Sequence, residues 1–175
     1  MAHHCHLDSL QNADMERIVE TAAKYIGQKE KPGNMGFINP EFDAKMRKVG
    51  FVNSHAWCAY FAELVWRESE QDTSHFSASA FKTYLNYQAA GRKGSQTAVP
   101  GALAVWRSVK AGKPGWTGHI GIVSEVGATS FKCIEGNTNK AGGREGIEVA
   151  EKTRTYQWKA MNGLQLVGFI HPDEI

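Results

Sequence analysis

The hydrophobic pattern of the chain changes its period near residue 100, and this change limits the folds that are open to it. Before that point, apolar residues at helical spacing predict helices over residues 15–30, 41–49, 58–70 and 78–90. After it, short alternating segments between glycines predict strands over residues 103–107, 119–126, 130–135, 147–152 and 166–170. Helices followed by a mainly antiparallel sheet are typical of the α+β class.

The length and composition indicate a single domain. A chain of 175 residues can bury one sizeable core, and 42% hydrophobic with 22% charged residues is ordinary for a globular protein. No internal repeat, low-complexity tract or linker divides the sequence. We therefore predict an N-terminal tail over residues 1–13 and one domain over residues 14–175.

The helix predicted from Cys58 to about Glu70 begins with a cysteine. Its apolar residues fall on one side and its charged residues on the other, as in an amphipathic helix. Cys58 then lies in the first turn, where free backbone N–H groups and the positive end of the helix dipole favour a thiolate over a thiol. Because the thiolate is the nucleophilic form, this helix start is a candidate catalytic position.

Two later strands carry side chains that can complete a nucleophilic site. His119 and Glu135 are far enough from Cys58 and from each other in sequence for each to arrive on its own element. Alternation along the strand predicts that Glu135 and Asn137 share one face and can both point toward the imidazole. A thiolate, an imidazole and an orienting polar group are suited to acyl transfer.

Other interpretations exist for several of these residues. Glu135 taken alone fits a surface charge at a strand end, and Cys133, on the same face, is interpreted as a small apolar filler rather than a redox-active thiol. His55 is a rival base, but it lies only three residues before Cys58. It is therefore interpreted as a loop or cap residue.

Four segments together resemble the CHAP amidohydrolase/peptidase domain, and the resemblance extends over roughly residues 18–170. They are the helix start Trp57–Phe61, the Pro100–Gly101 turn before Ala102–Arg107, the strand Gly118–Val123 and the strand end Ile134–Asn139. In one departure, Gly101-Ala102 stands where the family often has Gly-Asp, which affects a turn more than the chemistry.

The resemblance implies a papain-like α+β fold and hydrolysis of amide bonds in bacterial cell-wall peptides. It implies Cys58 as nucleophile, His119 as base, and Glu135 and Asn137 as polar partners. We expect a cysteine-dependent amidase or endopeptidase of peptidoglycan. Two alternatives stay open: a non-catalytic cell-wall-binding module of the same fold, and a cysteine amidase or acyltransferase acting on a small cytosolic substrate.

Further residues are candidates for contacts with the substrate. Trp57, Trp106 and Trp116 can wall a substrate groove, although core packing is the default role of a tryptophan. The Cys58 backbone N–H is placed to stabilise an oxyanion, with the amide side chain of Asn53 as a candidate second donor.

The charge pattern limits the classes of binding partner that we expect. A net charge of +2 argues against a dedicated nucleic-acid binder. Residues 73–124 contain six cations and no Asp or Glu, which fits either an anionic cell surface or an ordinary solvated face. No segment is long and apolar enough to predict membrane insertion, and we expect a monomer.

We expect no cofactor and no required metal. His3, His4, Cys5 and His6 could ligate zinc or copper, but such a terminus is interpreted as a tail outside the site. Glu41 and Asp43 are weak candidates for calcium because no ligand loop accompanies them.

The cysteines and the N-terminus indicate where the protein is made. Three cysteines at irregular spacing are interpreted as free thiols. The first residues lack the pattern of a signal peptide. We therefore expect synthesis in the cytoplasm and release to the wall by a phage holin or a secretion machine.

Overall fold

The computed structural model describes residues 2–138 and 146–172, with side chains from residue 11 onward. Four helices come first: α1 (Ala2–Ala23), α2 (Pro40–Lys48), α3 (Cys58–Glu68) and α4 (Ala80–Ala89). Five strands follow: β1 (Leu103–Lys110), β2 (Lys113–Val126), β3 (Ser130–Thr138), β4 (Glu148–Thr155) and β5 (Gly163–Ile170). The predicted α+β class, with N-terminal helices packed on an antiparallel sheet, is confirmed.

The strands form one antiparallel sheet in the order β4-β3-β2-β1-β5. Successive residues of a strand face opposite sides, and the two sides belong to two apolar clusters. The first cluster joins the sheet to the helices and includes Leu103, Val105, Ile120, Ile122 and Ile134. The second cluster includes Ala104, Trp106, Val123, Phe131 and Cys133. The sheet is therefore buried on both faces.

Helix α3 lies against β2 and β3. Eight of its eleven residues are buried, and the exposed Arg67 and Glu68 belong to the predicted charged side, so a wide apolar face holds this amphipathic helix in place. The indole N–H of Trp66 donates to the carbonyl of Gly101 at 3.1 Å, which ties the helix to the turn before β1. The first residue of α3, Cys58, is thereby fixed relative to the sheet.

Strand β4 is at one edge of the sheet, and only part of its outer side is paired within the described residues. Residues 27–30 hydrogen-bond to its beginning: the N–H of Gly27 donates to the carbonyl of Val149 at 2.9 Å, and Lys29 forms a bridge with Glu148. No such pairing is found for residues 151–155 in the part of the chain that the structure describes. Within the described residues, the second half of β4 is thus an open edge.

All the predicted helices and strands are found, with differences at their ends. Helix α1 begins at Ala2 rather than at residue 15, so the described part of the predicted tail, residues 2–13, has a helical backbone. Strand β2 begins at Lys113 rather than His119, because it pairs with β1 into a tight hairpin. The domain boundaries stay a prediction. No helix within the described residues has the length and apolarity that crossing a membrane requires.

Candidate active site

Cys58 is the first residue of α3 and lies beside a pocket. Its side chain is 5% exposed. The N–H groups of the first helical turn have no carbonyl acceptor within the helix, and they create a positive potential at this position. No side chain caps the helix, so these backbone donors are not occupied by a capping group.

His119 stands between Cys58 and a buried carboxylate. Its Nε2 lies 2.7 Å from Oε2 of Glu135, and the residue lines the same pocket as Cys58, whose side chain is among the causes that raise the His119 pKa. Since Nε2 is used by Glu135, Nδ1 is the ring nitrogen that remains for a proton transfer with the thiol. The predicted grouping of Cys58, His119 and Glu135 is present in the structure.

The environment of His119 favours the imidazolium. Burial alone opposes protonation, but the charge of Glu135 and the hydrogen bonds to Cys58 and Glu135 outweigh it and raise the pKa of His119 to about 9. The proton is therefore held on the imidazole at neutral pH.

Glu135 has no solvent-exposed surface, yet it is ionised. Burial favours the neutral acid, but the charge of His119 and the hydrogen bonds from Arg154 and His119 outweigh it and lower the pKa of Glu135 to about 2. The interpretation of Glu135 as a surface charge at a strand end is wrong, because the side chain is enclosed by His119 and Arg154.

Arg154 is the residue of this site that the sequence analysis missed. Its Nε donates to Oε1 of Glu135 at 2.7 Å and its Nη2 donates to Oε2 at 2.5 Å. Its guanidinium also lies over the ring of Trp106, 5.3 Å from the centroid. The pairing of Arg154 on β4 with Phe131, an inward residue of β3, is the signal that could have marked it as inward-facing.

Asn137 reaches the pocket by a route other than the predicted strand alternation. The register of β3 with β4 is irregular between Glu135 and Thr138, and Asn137 has a positive φ of 52°, a conformation in which asparagine is enriched. Its side chain is buried, and the residue lines the pocket with Cys58 and His119. Its role as a polar partner of His119 stays a prediction.

The segment that holds these groups also matches a known family. Residues 50–137, just over half of the chain, match the CHAP domain. The chain belongs to the CHAP family. The match includes all four residues predicted as catalytic, Cys58, His119, Glu135 and Asn137, whereas Arg154 lies beyond it.

This CHAP chain is weakly similar to two solved structures. A crystal structure of Ly7917 with the hydrolyzing product of MDP has a TM-score of 0.49 and 17% identity. A second crystal structure of Ly7917 has a TM-score of 0.45 and 17% identity. Each alignment covers 90% of this chain and 62% of the other, so the chain spans less than two thirds of those proteins. No curated protein matches the chain.

The CHAP site opens into a pocket of about 940 Å³. Trp106 and Trp116 both line it: Trp106 is 2% exposed beside His119, and Trp116 is 77% exposed. The prediction for Trp57 is wrong, because its ring is fully buried against Phe37 and its indole N–H donates to the Glu30 carboxylate. Trp57 is a core residue beneath the nucleophile.

Two further residues from the sequence analysis lie away from the reacting groups. His55 is exposed, and its Nδ1 lies 3.1 Å from the hydroxyl of Tyr60, in the loop before α3 as predicted. The side-chain oxygen of Asn53 accepts from Arg47 at 3.0 Å, and the residue does not line the pocket. Asn53 is therefore not the second oxyanion donor.

Cys133 is fully buried in the second apolar cluster. Desolvation, followed by the charge of Glu135, raises its pKa well above the ordinary value for a thiol. Cys133 and Cys58 are both free thiols, and the interpretation of Cys133 as an apolar filler agrees with this environment. Cys5 lies outside the residues whose side chains are described.

Of the two carboxylates considered for calcium, Glu41 is exposed and Asp43 has other contacts. Asp43 accepts from Arg47 at 2.6 Å and from the backbone N–H of Phe37 at 2.8 Å. Among the described residues, no group of three or more His, Cys, Asp or Glu is arranged to hold a metal ion. His3, His4, Cys5 and His6 belong to the part of α1 whose side chains are not described.

Gly121 gives Glu135 the space that it occupies. A Cβ at position 121 would lie 2.6 Å from Cγ of Glu135, closer than side-chain carbon atoms approach one another. Because Glu135 is held by both His119 and Arg154, it cannot move aside without breaking one of those contacts.

Gly121→Ala should therefore disturb both the fold and the reactivity of Cys58. We expect a loss of about 1–3 kcal/mol in the free energy of unfolding, typical of overpacking, and slower alkylation of Cys58 by iodoacetamide. Denaturant unfolding and mass spectrometry of the alkylated Cys58 peptide measure the two effects. Unchanged stability and unchanged alkylation would show that Glu135 adapts freely.

Proposed function

We propose that this CHAP domain is a cysteine-dependent hydrolase of amide bonds in bacterial peptidoglycan, acting as an amidase or an endopeptidase. The observation that carries the proposal is the position of His119 between Cys58 and a buried, ionised Glu135 at the side of a pocket. Membership of the CHAP family supports the same class of reaction.

In the acylation half of the reaction, the Cys58 thiolate attacks the carbonyl carbon of the scissile amide. The tetrahedral oxyanion accepts a hydrogen bond from the Cys58 backbone N–H, which has no acceptor within the helix. As the C–N bond breaks, the His119 imidazolium gives its proton to the leaving amine. The products are a free amine, a thioester on Cys58 and a neutral imidazole.

In the deacylation half, His119 acts as a base. The neutral imidazole takes a proton from water, and the resulting hydroxide equivalent attacks the thioester carbonyl. The C–S bond breaks, a carboxylic acid leaves, and the thiolate and imidazolium are restored. Throughout the cycle, the Glu135 carboxylate orients the imidazole and stabilises its charged form.

The lining of the pocket supports a substrate that carries carboxylates. It contains the cation Lys110 and, among its described residues, no Asp or Glu, whereas its other cation, Arg154, is paired with Glu135 behind the pocket wall. Stem peptides of peptidoglycan carry free carboxylates, which are attracted to a pocket of this sign. The exposed face of Trp116 offers an apolar wall for the adjoining peptide or sugar.

Product analysis tests the function. The protein is incubated with purified peptidoglycan, and the soluble fragments are identified by mass spectrometry. A fragment with a new amine or carboxylate end supports the proposal and names the bond that is cut. Co-sedimentation with peptidoglycan without any product would favour a binding module, and neither binding nor product would favour a small-molecule amidase or acyltransferase.

Chelation is expected to leave this activity intact. Cys58 supplies the nucleophile and His119 supplies the acid, so no step requires a Lewis acid. After prolonged treatment with EDTA at constant ionic strength, the rate of fragment release should change less than about twofold. A loss that calcium or zinc reverses would show that a metal takes part.

A further inference from the structure

The reaction sequence above leaves Arg154 without a role, although it makes the closest contacts to Glu135. The guanidinium uses two nitrogens in a fork that contacts both carboxylate oxygens, at 2.7 and 2.5 Å. This geometry is specific to arginine, because a lysine ammonium is a single point donor on a flexible stem. One side of the guanidinium lies over Trp106, which fixes the plane of the fork.

The charges of the site alternate along a line of four side chains. In the reactive form they are the Cys58 thiolate, the His119 imidazolium, the Glu135 carboxylate and the Arg154 guanidinium. Glu135 is fully buried, so an ionised carboxylate there needs compensating charge on both sides. His119 supplies one of these charges, and only transiently, because it gives up its proton in each cycle. Arg154 supplies the permanent one.

We propose that Arg154 is a positioning residue that keeps the Glu135 carboxylate ionised and aimed at His119 throughout the catalytic cycle. The proposal rests on the proposed hydrolytic function. When His119 becomes neutral after the leaving amine departs, the carboxylate keeps its partner in Arg154 and does not take up a proton or rotate. The imidazole thus meets the incoming water with its Nε2 hydrogen still bound to Glu135.

The two hydrogen bonds from Arg154 to Glu135 favour a positioning role over a role in binding substrate. Both the Nε and Nη2 groups of Arg154 are used by Glu135, although the residue also lines the pocket. A role in positioning acts through Glu135, so it must disappear when Glu135 has no charge. A role in binding substrate, or in stability alone, must persist in that background.

The test is a double-mutant cycle between Arg154 and Glu135. Arg154→Met keeps an unbranched apolar side chain at this position and removes the guanidinium from both Glu135 and Trp106. In the wild-type background we expect it to lower kcat about tenfold to a hundredfold with a smaller change in KM. In the Glu135→Gln background the same substitution should cause no further loss, since the lone guanidinium then repels the His119 imidazolium.

The pH profile supplies a second readout. Removing the guanidinium should raise the Glu135 pKa from about 2, so Arg154→Met should lose activity on the acid side at a higher pH than the wild type. Glu135→Gln removes the stabilising charge and lowers the His119 pKa, so its alkaline limb should move to lower pH. With Arg154→Lys, the ammonium charge should make the acid-side shift smaller than with Arg154→Met. The kcat should still be below the wild-type value.

Alkylation of Cys58 separates this inference from the proposed function. The rate of carboxamidomethylation as a function of pH reports the thiolate and imidazolium whether or not peptidoglycan is the substrate. An acid-side shift of this profile in Arg154→Met, absent in the Glu135→Gln background, supports positioning even if no peptidoglycan fragment is released. Thermal unfolding identifies any variant that fails to fold, in which case Arg154→Lys carries the comparison.

Two results would overturn the proposal. One is an equal loss from Arg154→Met in both backgrounds, because the residue would then act on the substrate or on stability rather than through Glu135. The other is an alkylation profile of Arg154→Met identical to that of the wild-type protein, because Glu135 would then keep its charge and aim without the guanidinium.

Discussion

Cys58→Ala is expected to abolish the release of fragments from peptidoglycan, by a factor on the order of a thousand or more. The substitution removes the nucleophile while leaving a helix former at the start of α3, so the fold should persist. The same variant should lose the fast phase of iodoacetamide labelling near neutral pH. Fragment release is followed by mass spectrometry, and labelling is followed on the peptide that contains residue 58.

Cys133→Ala is the matched control for this experiment. Cys133 is also buried and free, but its pKa is raised by desolvation, so it should contribute neither activity nor fast labelling. The Cys133→Ala protein should keep wild-type rates within about twofold. Preferential labelling of Cys133, with Cys58 inert and its alanine variant active, would refute the assignment of the nucleophile.

His119→Ala is expected to lower turnover by about a hundredfold or more. Without the imidazole, the thiolate has no stabilising cation and the leaving amine has no proton donor. The pKa of His119, raised to about 9, sets the sign of the pH dependence. Wild-type activity should persist to about pH 9 and fall above it as the imidazolium deprotonates, and the variant should lack this alkaline limb.

His55→Ala is the control for His119, because it removes an exposed imidazole that contacts Tyr60 rather than the thiol. Its activity should change by less than about threefold, and its pH–rate profile should keep the alkaline limb. If His55→Ala were inactive and His119→Ala were active, His55, in the loop before α3, would be the base instead of His119.

Local patterns were sufficient to predict the elements and to place Cys58 at a helix start and His119 on a strand. Helical spacing placed Cys58 at the start of α3, and the glycine-flanked strand around His119 predicted β2. These signals depend on neighbours in sequence, so they survive without knowledge of the tertiary fold. The observed ends of the strands differ from the predicted ones because pairing with a neighbour extends a strand. The β1–β2 hairpin, for example, extends β2 back to Lys113.

Contacts between distant segments explain what was missed. Arg154 reaches Glu135 only because β4 pairs with β3, and an arginine in an isolated strand is typically solvent-exposed. Trp57 was misassigned because burial by Phe37 and Phe42 comes from a segment about twenty residues earlier. Asn137 does reach the pocket, but a left-handed residue rather than regular alternation brings it there.

The open half of β4 carries Arg154, so the stability of the Arg154–Glu135 contact depends on the local stability of this edge strand. Residues 27–30 pair with the beginning of this edge strand, but not with the half that carries Arg154. Edge strands with unpaired outer groups open more readily than central strands, through fluctuations smaller than global unfolding. Fraying of this half of β4 would take the guanidinium away from Glu135 while α3 and the central strands stayed folded. We therefore expect the reactivity of the site to be lost at a lower free energy than the native fold, through opening of the edge strand.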